Sequence, residues 1–335
     1  MTISRATVSV DLRRLESYMT GTGRTIAESL SLLRDGDELV VRAVNEECRL
    51  AQRRRASSSV AVALEGLRRQ TIGPRVWQPW LLGPLGSERT LLGVYDLIPL
   101  RLGVFKSAVL RRRLSVVRRD PTIAVLTLLN GTRQRLVHDY GIAAARVHVV
   151  SPGIDRMAKP ERSELMRTDK PYALVVARYS PHKNLDVLLK GWFASGKAID
   201  LTMVLPPHDA SGAFGQSAAN AGVRILSGLS AADLGRFTAH ARCVVSPSLE
   251  EGFGLPAVEA AAAGTALFMS DIDAYREVQV DDAVLVSPCD VDAWARTFRR
   301  AAAGELKPAT LRPDAPTWDT WRRELDRLLD SLRTG

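Results

Sequence analysis

Apolar residues in this chain recur with two periods that alternate along most of its length. Short runs rich in Val, Ile, Leu and Thr mark the first half: ATVSVDL (6–12), ELVVRAV (38–44), TLLGVY (90–95), TIAVLT (122–127) and RVHVV (146–150). The second half repeats the pattern with YALVVA (172–177), IDLTMVL (199–205), VRIL (223–226), RCVVS (242–246), TALFM (265–269) and AVLV (283–286). Between the runs, residues 24–34, 105–119, 131–140, 184–195, 230–241, 257–263 and 290–303 carry apolar side chains at helical spacing. Strand–helix–strand alternation of this kind predicts parallel sheets covered by helices on both faces. The polar, proline-containing segment 151–171 interrupts the rhythm and divides the chain into two α/β halves. A last helix is predicted over 318–333, where Trp318, Trp321, Leu325, Leu328 and Leu332 form an apolar stripe.

Length and composition agree with that picture. The 335 residues are 46% apolar and 25% charged, as expected of a soluble globular chain, and the length suits two domains of roughly 100–200 residues. Charge adds something new because it is uneven. Residues 1–150 hold 24 Lys and Arg against 13 Asp and Glu, whereas 151–335 hold 22 against 24. The net charge of +9 therefore belongs to the N-terminal half. Much of it lies in KSAVLRRRLSVVRR (106–119), where Lys106, Arg111, Arg112, Arg113, Arg118 and Arg119 surround valines and leucines. Such a segment suits an anionic membrane surface or a phosphate-rich partner, and its plainer alternative is a solvated helix. Nucleic acid is a poorer partner, since neither zinc-finger spacing nor an aromatic RNA-binding strand accompanies the charge. The first apolar run is broken by Asp11, so no secretory signal is read, and no run approaches the roughly 18 apolar residues of a membrane span. Cys48, Cys243 and Cys289 are odd in number and scattered, which fits a cytoplasmic protein better than a disulfide framework or a zinc site.

Ligands of doubly wound sheets bind beyond the carboxyl ends of the strands, and the unusual residues of this sequence fall there. SLEEGFGLPAVEAAAAG (248–264) directly follows the run RCVVS. Its Gly252-Phe253-Gly254 turn leads into Pro256, a residue preset for the start of a helix, and then into the strong helix former AVEAAAA. A helix start offers free N–H groups and partial positive charge to a phosphate. Glu251 and Glu259 flank the elbow, and a carboxylate can hold two vicinal hydroxyls. The spacing reads as sugar hydroxyls on one side, diphosphate in the middle and ribose on the other. VVARYSPHKNLDVLLKGW (175–192) is a second strand–loop–helix segment, in which Arg178 closes the strand and Lys183 opens the helix. Two cations five residues apart across a turn can converge on one diphosphate.

Together these segments resemble family-4 retaining glycosyltransferases of the GT-B fold, the glycosyl transferases group 1 of bacterial polysaccharide type. EGFGLPAVEA is similar to their E-x7-E signature, RYSPHKN to their donor-phosphate motif, and DIDAYREVQVDDAVLVSPCDVDAWA (271–295) to the segment that follows. The resemblance is strong over 145–300 and weaker over 1–144. It implies an α/β fold of two Rossmann-like doubly wound domains facing each other across a cleft. The expected boundaries are an acceptor-binding domain over 1–155 completed by the helix 316–335, a linker over 156–171, and a nucleotide-sugar domain over 172–315. Carried over residue by residue, Arg178 and Lys183 bind the donor diphosphate and Glu259 the ribose. Glu251, with backbone N–H groups near Phe253, Gly254 and Leu255, holds the transferred sugar. A nucleoside-diphosphate sugar is then co-substrate, with no metal or other cofactor required, and the acceptor is a saccharide or lipid-linked saccharide at the inner face of the cytoplasmic membrane.

In the N-terminal half, YMTGTGRTIAESL (18–30) resembles the family's glycine loop and puts Gly23 near the donor, although Gly21-x-Gly23 by itself is only a turn. GVYDLIPL (93–100) resembles the family's H-D-L-x-P segment with Tyr95 in place of the histidine, leaving Asp96 as the nearest polar candidate for sugar or acceptor. That form favours mannose weakly. His182 is expected as a solvated loop residue. Asp35-Gly36-Asp37 and Asp271-Ile272-Asp273 fit the D-x-D pattern of metal-dependent transferases but are read as spurious, the first as a turn after a helix and the second as replacing a commonly non-acidic stretch of the segment the family resemblance covers. Two rivals use the same scaffold: a non-catalytic nucleotide-sugar-binding subunit or membrane-surface adaptor, and a sugar-nucleotide epimerase. The retained cations and glutamates argue against the first, and no acid–base motif supports the second.

Overall fold

The computed structural model describes the backbone of residues 7–11, 38–42 and 75–78, and then residues 90–100, 104–154 and 170–334. Gly23 with its glycine loop, the helix expected over 24–34, Cys48, Asp35-Gly36-Asp37 and all but the last two residues of the expected linker lie outside the described residues. The chain divides into two compact units, Met1–Gly153 with Pro316–Gly335, and Ile154–Ala315.

The first unit holds strands β1 (Thr7–Asp11), β2 (Glu38–Arg42), β3 (Arg75–Gln78), β4 (Thr90–Gly93), β5 (Ile123–Thr127) and β6 (Val147–Val149), with helices α1 (Val104–Arg119) and α2 (Asn130–His138). Its sheet runs β2-β1-β3-β4-β5-β6 and is parallel throughout. Helix α1 buries Leu110, Leu114 and Val117 in one cluster with Ile123 and Val125 of β5. Its opposite face carries exposed Val109, Arg111, Arg112, Val116 and Arg119. The guanidinium of Arg146 donates to the carbonyls of Val117, Arg118, Asp120 and Ile123. One side chain thus satisfies the orphan carbonyls at the end of α1 and the entry to β5.

The second unit holds β7 (Tyr172–Val176), α3 (Leu185–Ala194), β8 (Asp200–Val204), α4 (Pro207–Ser211), α5 (Ala213–Asn220), β9 (Arg224–Leu226), α6 (Ala231–His240) and β10 (Cys243–Ser246). It continues with α7 (Leu255–Ala262), β11 (Ala266–Ser270), α8 (Asp273–Glu277), β12 (Val280–Asp281), β13 (Val284–Val286), α9 (Val291–Ala303) and β14 (Thr310–Leu311). The parallel sheet runs β13-β11-β10-β7-β8-β9, so the strand order reverses beside β7. Its core brings Leu185, Leu188 and Trp192 of α3 together with Trp294, Phe298 and Ala301 of α9 against Ala173, Met203, Val245 and Phe268. Gly191 allows this approach, since a Cβ there would lie 2.5 Å from that of Trp294.

The closing helix α10 (Trp318–Thr334) belongs to the first unit and packs on β3 and β4. Its buried stripe is Trp318, Trp321, Leu325 and Leu329. Leu328, expected in that stripe, is only half-buried, because the helical period carries the inward face one residue further by that point. The side chain of Leu332 lies outside the described residues. Eleven strands and the longer described helices fall where the apolar rhythm predicts them, within a few residues. Strand β3, helices α4, α5 and α8, and the two-residue ladder of β12 with β14 have no such signal. They are short, or built from small residues such as those of AFGQSAAN (213–220), which leave no periodic stripe.

Gly191→Ala in an ordinary helix interior would add up to about 1 kcal/mol of stability. Here it is expected to cost about 1–3 kcal/mol by overpacking against Trp294, and urea unfolding of the two proteins measures the sign.

Candidate functional site

In a sheet whose strand order reverses, the loops leaving the two strands at the reversal diverge and open a crevice. Here those strands are β7 and β10, and both sequence-predicted segments follow them. After β7 the chain places Arg178 two residues past the strand end, exposed and making no hydrogen bond or ion pair with the described residues. The neighbouring Tyr179 N–H donates to Asp209 Oδ2 at 2.8 Å, and its ring stacks on Phe214 with centroids 4.1 Å apart. A 3-10 turn at Pro181–Lys183 then ends at Asn184, whose φ of 55° and ψ of 31° are left-handed. Asparagine tolerates that conformation better than most residues. Its buried side-chain amide donates to the carbonyls of Pro247 at 3.1 Å and Pro288 at 2.7 Å. The Leu249 N–H donates to the His182 carbonyl at 2.7 Å. These three bonds tie the loop after β7 to the loops after β10 and β13.

After β10, Glu251 turns its Oε1 towards three donors: Lys183 Nζ at 2.6 Å, Ser248 Oγ at 2.7 Å and the Tyr275 hydroxyl at 3.1 Å. The Ser246 hydroxyl lies in hydrogen-bond contact with the same Tyr275 hydroxyl. Helix α7 starts one residue before Pro256, with Gly254 at its N-cap in the left-handed region (φ 85°, ψ 44°). Glycine is required there twice over, because a Cβ would also overlap the Tyr275 ring. The backbone N–H groups of Phe253, Gly254 and Leu255 find no acceptor among the described residues. A helix start with open donors beside a cation is an anion site.

The electrostatics follow from burial. Burial pushes the Glu251 carboxyl up, but the Lys183 ammonium and the Ser248 hydroxyl pull it down further, and the balance lies below its ordinary value. Burial, then the Lys183 charge, hold the His182 imidazole below its ordinary value. Burial and the Glu251 charge raise the Tyr275 phenol well above its ordinary range. At neutral pH the site thus contains a carboxylate, an ammonium, a neutral imidazole and a protonated phenol.

Lys183, Glu251, Phe253, Gly254 and Leu255 come together in this crevice, with the charge of Arg178 felt by His182. Lys183 differs from its sequence reading. It closes the 3-10 turn before α3 rather than opening the helix, and one of its three N–H donors is already given to Glu251. Glu259 is the fifth residue of α7, one position further along than a helix opening at Pro256 would place it, because the helix starts at Leu255. His182 is a correction. Expected as a solvated loop residue, it is half-buried, bridges two loops through its carbonyl and pairs its Nδ1 with Ser180 Oγ at 3.2 Å. Tyr95 and Asp96 belong to the other unit. Tyr95 is buried with no partner for its hydroxyl among the described residues, and Asp96 Oδ1 accepts the Ile98 N–H at 3.0 Å. Asp271 is engaged by both nitrogens of Arg276, at 2.6 and 2.8 Å. Tyr275, Ser246 and Ser248 escaped the sequence reading, since no spacing marks a tyrosine in a five-residue helix.

Residues 170–303 match the family described as Glycosyl transferases group 1. The chain is 25% identical over 179 residues to the O-antigen chain mannosyltransferase RfbU of Salmonella typhimurium, covering 52% of this chain and 50% of that one. It is 30% identical over 194 residues to the MMP alpha-(1->4)-mannosyltransferase of Mycolicibacterium hassiacum, covering 55% and 46%. The chain thus spans about half the length of the curated relatives it matches. In fold it is similar to Anabaena HepE in complex with UDP and glucose, at 13% identity over 98% of this chain and 100% of that one, with a TM-score of 0.69. The sucrose-phosphate synthase of Thermosynechococcus elongatus gives 13%, 98%, 99% and 0.65. These structural likenesses show the fold, a GT-B pair of Rossmann-like domains.

The lowered Glu251 carboxyl sets a pH dependence with a definite sign. The native state binds fewer protons than the unfolded chain, so this contribution is complete above about pH 4.5 and is lost as pH falls through the native value. Glu251→Gln is expected to be less stable than wild type at pH 7, by about 1–3 kcal/mol. The gap should narrow as wild type is acidified below pH 4.5, and denaturant midpoints measured from pH 7 to 3 check the convergence.

Proposed function

We propose that this chain, with a group 1 glycosyltransferase domain on a GT-B scaffold, transfers a hexose from a nucleoside-diphosphate sugar to a saccharide or lipid-linked saccharide acceptor. Mannose is the favoured sugar, and the setting is the assembly of a cell-surface polysaccharide at the inner face of the cytoplasmic membrane. One observation carries the reading: a cation–carboxylate pair, Lys183 with Glu251, stands beside the unpartnered N–H groups that open α7, where the strand order reverses. Two relatives are mannosyltransferases, one of them of the O-antigen chain, which supports the sugar and the setting.

In this reading the donor diphosphate lies against the start of α7, Arg178 and the free donors of Lys183. Glu251 accepts hydroxyls of the transferred sugar, and Glu259 those of the ribose. The acceptor oxygen bonds to the anomeric carbon while the bond from that carbon to the β-phosphate oxygen breaks. The diphosphate leaves with the electron pair and takes the acceptor's proton. Because acceptor and leaving group share one face, the anomeric configuration is retained. Negative charge grows on the leaving oxygens, and fixed positive groups aimed at it lower the barrier most. Two cations and three backbone donors supply that field, so the reaction proceeds without a divalent metal.

The outer face of α1 fits the acceptor. Val109 and Val116 are each 42% exposed, in the company of Arg111, Arg112 and Arg119. Among the described residues no helix is long and apolar enough to cross a membrane. Two exposed valines among arginines fit shallow contact with an anionic bilayer, where each basic residue adds about 1 kcal/mol.

Arg178→Ala and Lys183→Ala are each expected to lower kcat by about 10²–10³-fold, with wild-type turnover unchanged by EDTA and product anomers retained by NMR. Unchanged kcat in both variants removes the phosphate assignment. A thermal-shift panel of UDP, GDP, ADP and TDP sugars identifies the donor, since ligands raise Tm according to affinity. Replacing Arg111, Arg112 and Arg119 by Gln should abolish salt-sensitive sedimentation with phosphatidylglycerol vesicles while kcat on a soluble acceptor is kept. Undiminished sedimentation sinks the surface.

A further inference from the structure

We propose that Tyr275 is a positioning residue that aims Glu251 at the transferred sugar and, with the same side chain, fixes the carboxylate relative to the diphosphate donors of α7. The inference rests on reading this crevice as a nucleoside-diphosphate-sugar site.

The hydrogen-bond directions are forced by chemistry. An ionised carboxylate only accepts, and a phenol has one proton. The Tyr275 hydroxyl donates to Glu251 Oε1, so the Ser246 hydroxyl, in contact with the same phenol, donates to the Tyr275 oxygen. The chain Ser246, Tyr275, Glu251 therefore has a single polarity. Lys183 and Ser248 add their donors to the same oxygen. Oε1 is saturated, while Oε2 has no partner among the described residues. A carboxylate held by one oxygen has fixed its free oxygen as the acceptor for substrate hydroxyls.

The ring of Tyr275 has the second task. It lies against Gly254 so closely that no side chain fits there, and Gly254 caps α7 between the open N–H groups of Phe253 and Leu255. Hydroxyl and ring belong to one rigid group, so the sugar acceptor and the phosphate donors share a common reference. That group is itself well anchored. Tyr275 is 1% exposed, its N–H donates to the Ile272 carbonyl at 3.0 Å, and the next residue clamps Asp271 through both guanidinium nitrogens. Burial and the Glu251 charge hold the phenol well above its ordinary range, so it keeps its proton at neutral pH.

Tyr275→Phe keeps the ring and deletes the donor, and Ser246→Ala keeps both while removing the bond that orients the phenol. Each is compared with wild type for binding of UDP against UDP-glucose and GDP against GDP-mannose, and for the acid limb of kcat/KM on whichever sugar nucleotide is turned over. In Tyr275→Phe the affinity for the bare diphosphate nucleotide should stay within about twofold. The extra affinity conferred by the sugar should fall about tenfold or more. The acid limb should move to higher pH, because Glu251 loses a donor that favours its charged form. Ser246→Ala should move the same readouts in the same direction by less. A merely structural tyrosine would weaken nucleotide and sugar nucleotide alike and leave the acid limb in place, and that result overturns the role. It falls equally if both variants match wild type. Should Tyr275→Phe fail to fold, Ser246→Ala decides by the same criteria. Binding of no nucleotide or sugar nucleotide of the UDP, GDP, ADP and TDP panel by wild type overturns the reading of the crevice itself, which is a different outcome from loss of the tyrosine's role alone.

Discussion

Everything at this site depends on the reversal of strand order beside β7. A right-handed crossover from a parallel strand returns on one face, so strands added on opposite sides of β7 send their connecting helices to opposite faces. The loops leaving β7 and β10 must then part, and neither can cover the other. Into that gap project Lys183, Glu251 and the start of α7, with Arg178 two residues past the end of β7. The core beneath makes the gap rigid: α3 and α9 approach through Gly191 until backbone and Trp294 touch, which fixes where the loop after β7 begins its helix. Asn184, in a left-handed conformation, then fastens that loop to the chain after β10 and β13. The site is a property of topology first and of side chains second.

Burying charge imposes the next condition. Glu251 sits largely out of water, and such a carboxylate survives only with donors close by. Lys183 provides a compensating charge at 2.6 Å and two hydroxyls complete the shell. The same arrangement leaves a cation beside the open N–H groups of α7, so one ion pair keeps the empty crevice near neutrality and still offers positive potential to an incoming anion. An arginine in place of Lys183 would satisfy the carboxylate in a fixed fork. An ammonium, with three donors on a flexible stem, can serve carboxylate and phosphate at once.

Much of this was legible in the sequence, and the part that was not has a physical reason. The apolar rhythm located eleven strands because buried parallel strands are near-continuous apolar runs bounded by turns. The elbow at Gly252–Pro256 and the pair Arg178 and Lys183 were legible because helix starts and strand ends are written locally, within a few residues. Partnerships are not. Nothing in the spacing tells Lys183 that Glu251, 68 residues on, takes one of its donors, or that Tyr275 completes the shell from the short helix α8. His182 was misjudged for the same reason: its carbonyl takes the N–H of Leu249, 67 residues on, and no local spacing announces that bond. Helices α4, α5 and α8 left no pattern because each is too short, or too rich in small residues, to build a stripe.

The division of charge along the chain closes the argument. On the proposed reading a diphosphate, which carries few charges, meets two cations and a helix start in the crevice of the second unit, while residues 151–335 remain close to neutral. The basic charge of α1 is spread along exposed surface rather than converging on a point: the helix turns its leucines inward to β5 and leaves arginines and two valines outward along several turns. Converging charge selects one small anion by geometry, whereas dispersed charge with exposed apolar groups responds to an extended anionic surface and is screened by salt. In the transfer we propose, a donor is held by geometry in one unit and an acceptor is delivered by a surface to the other, and the electrostatics of α1 and of the crevice suit those two tasks.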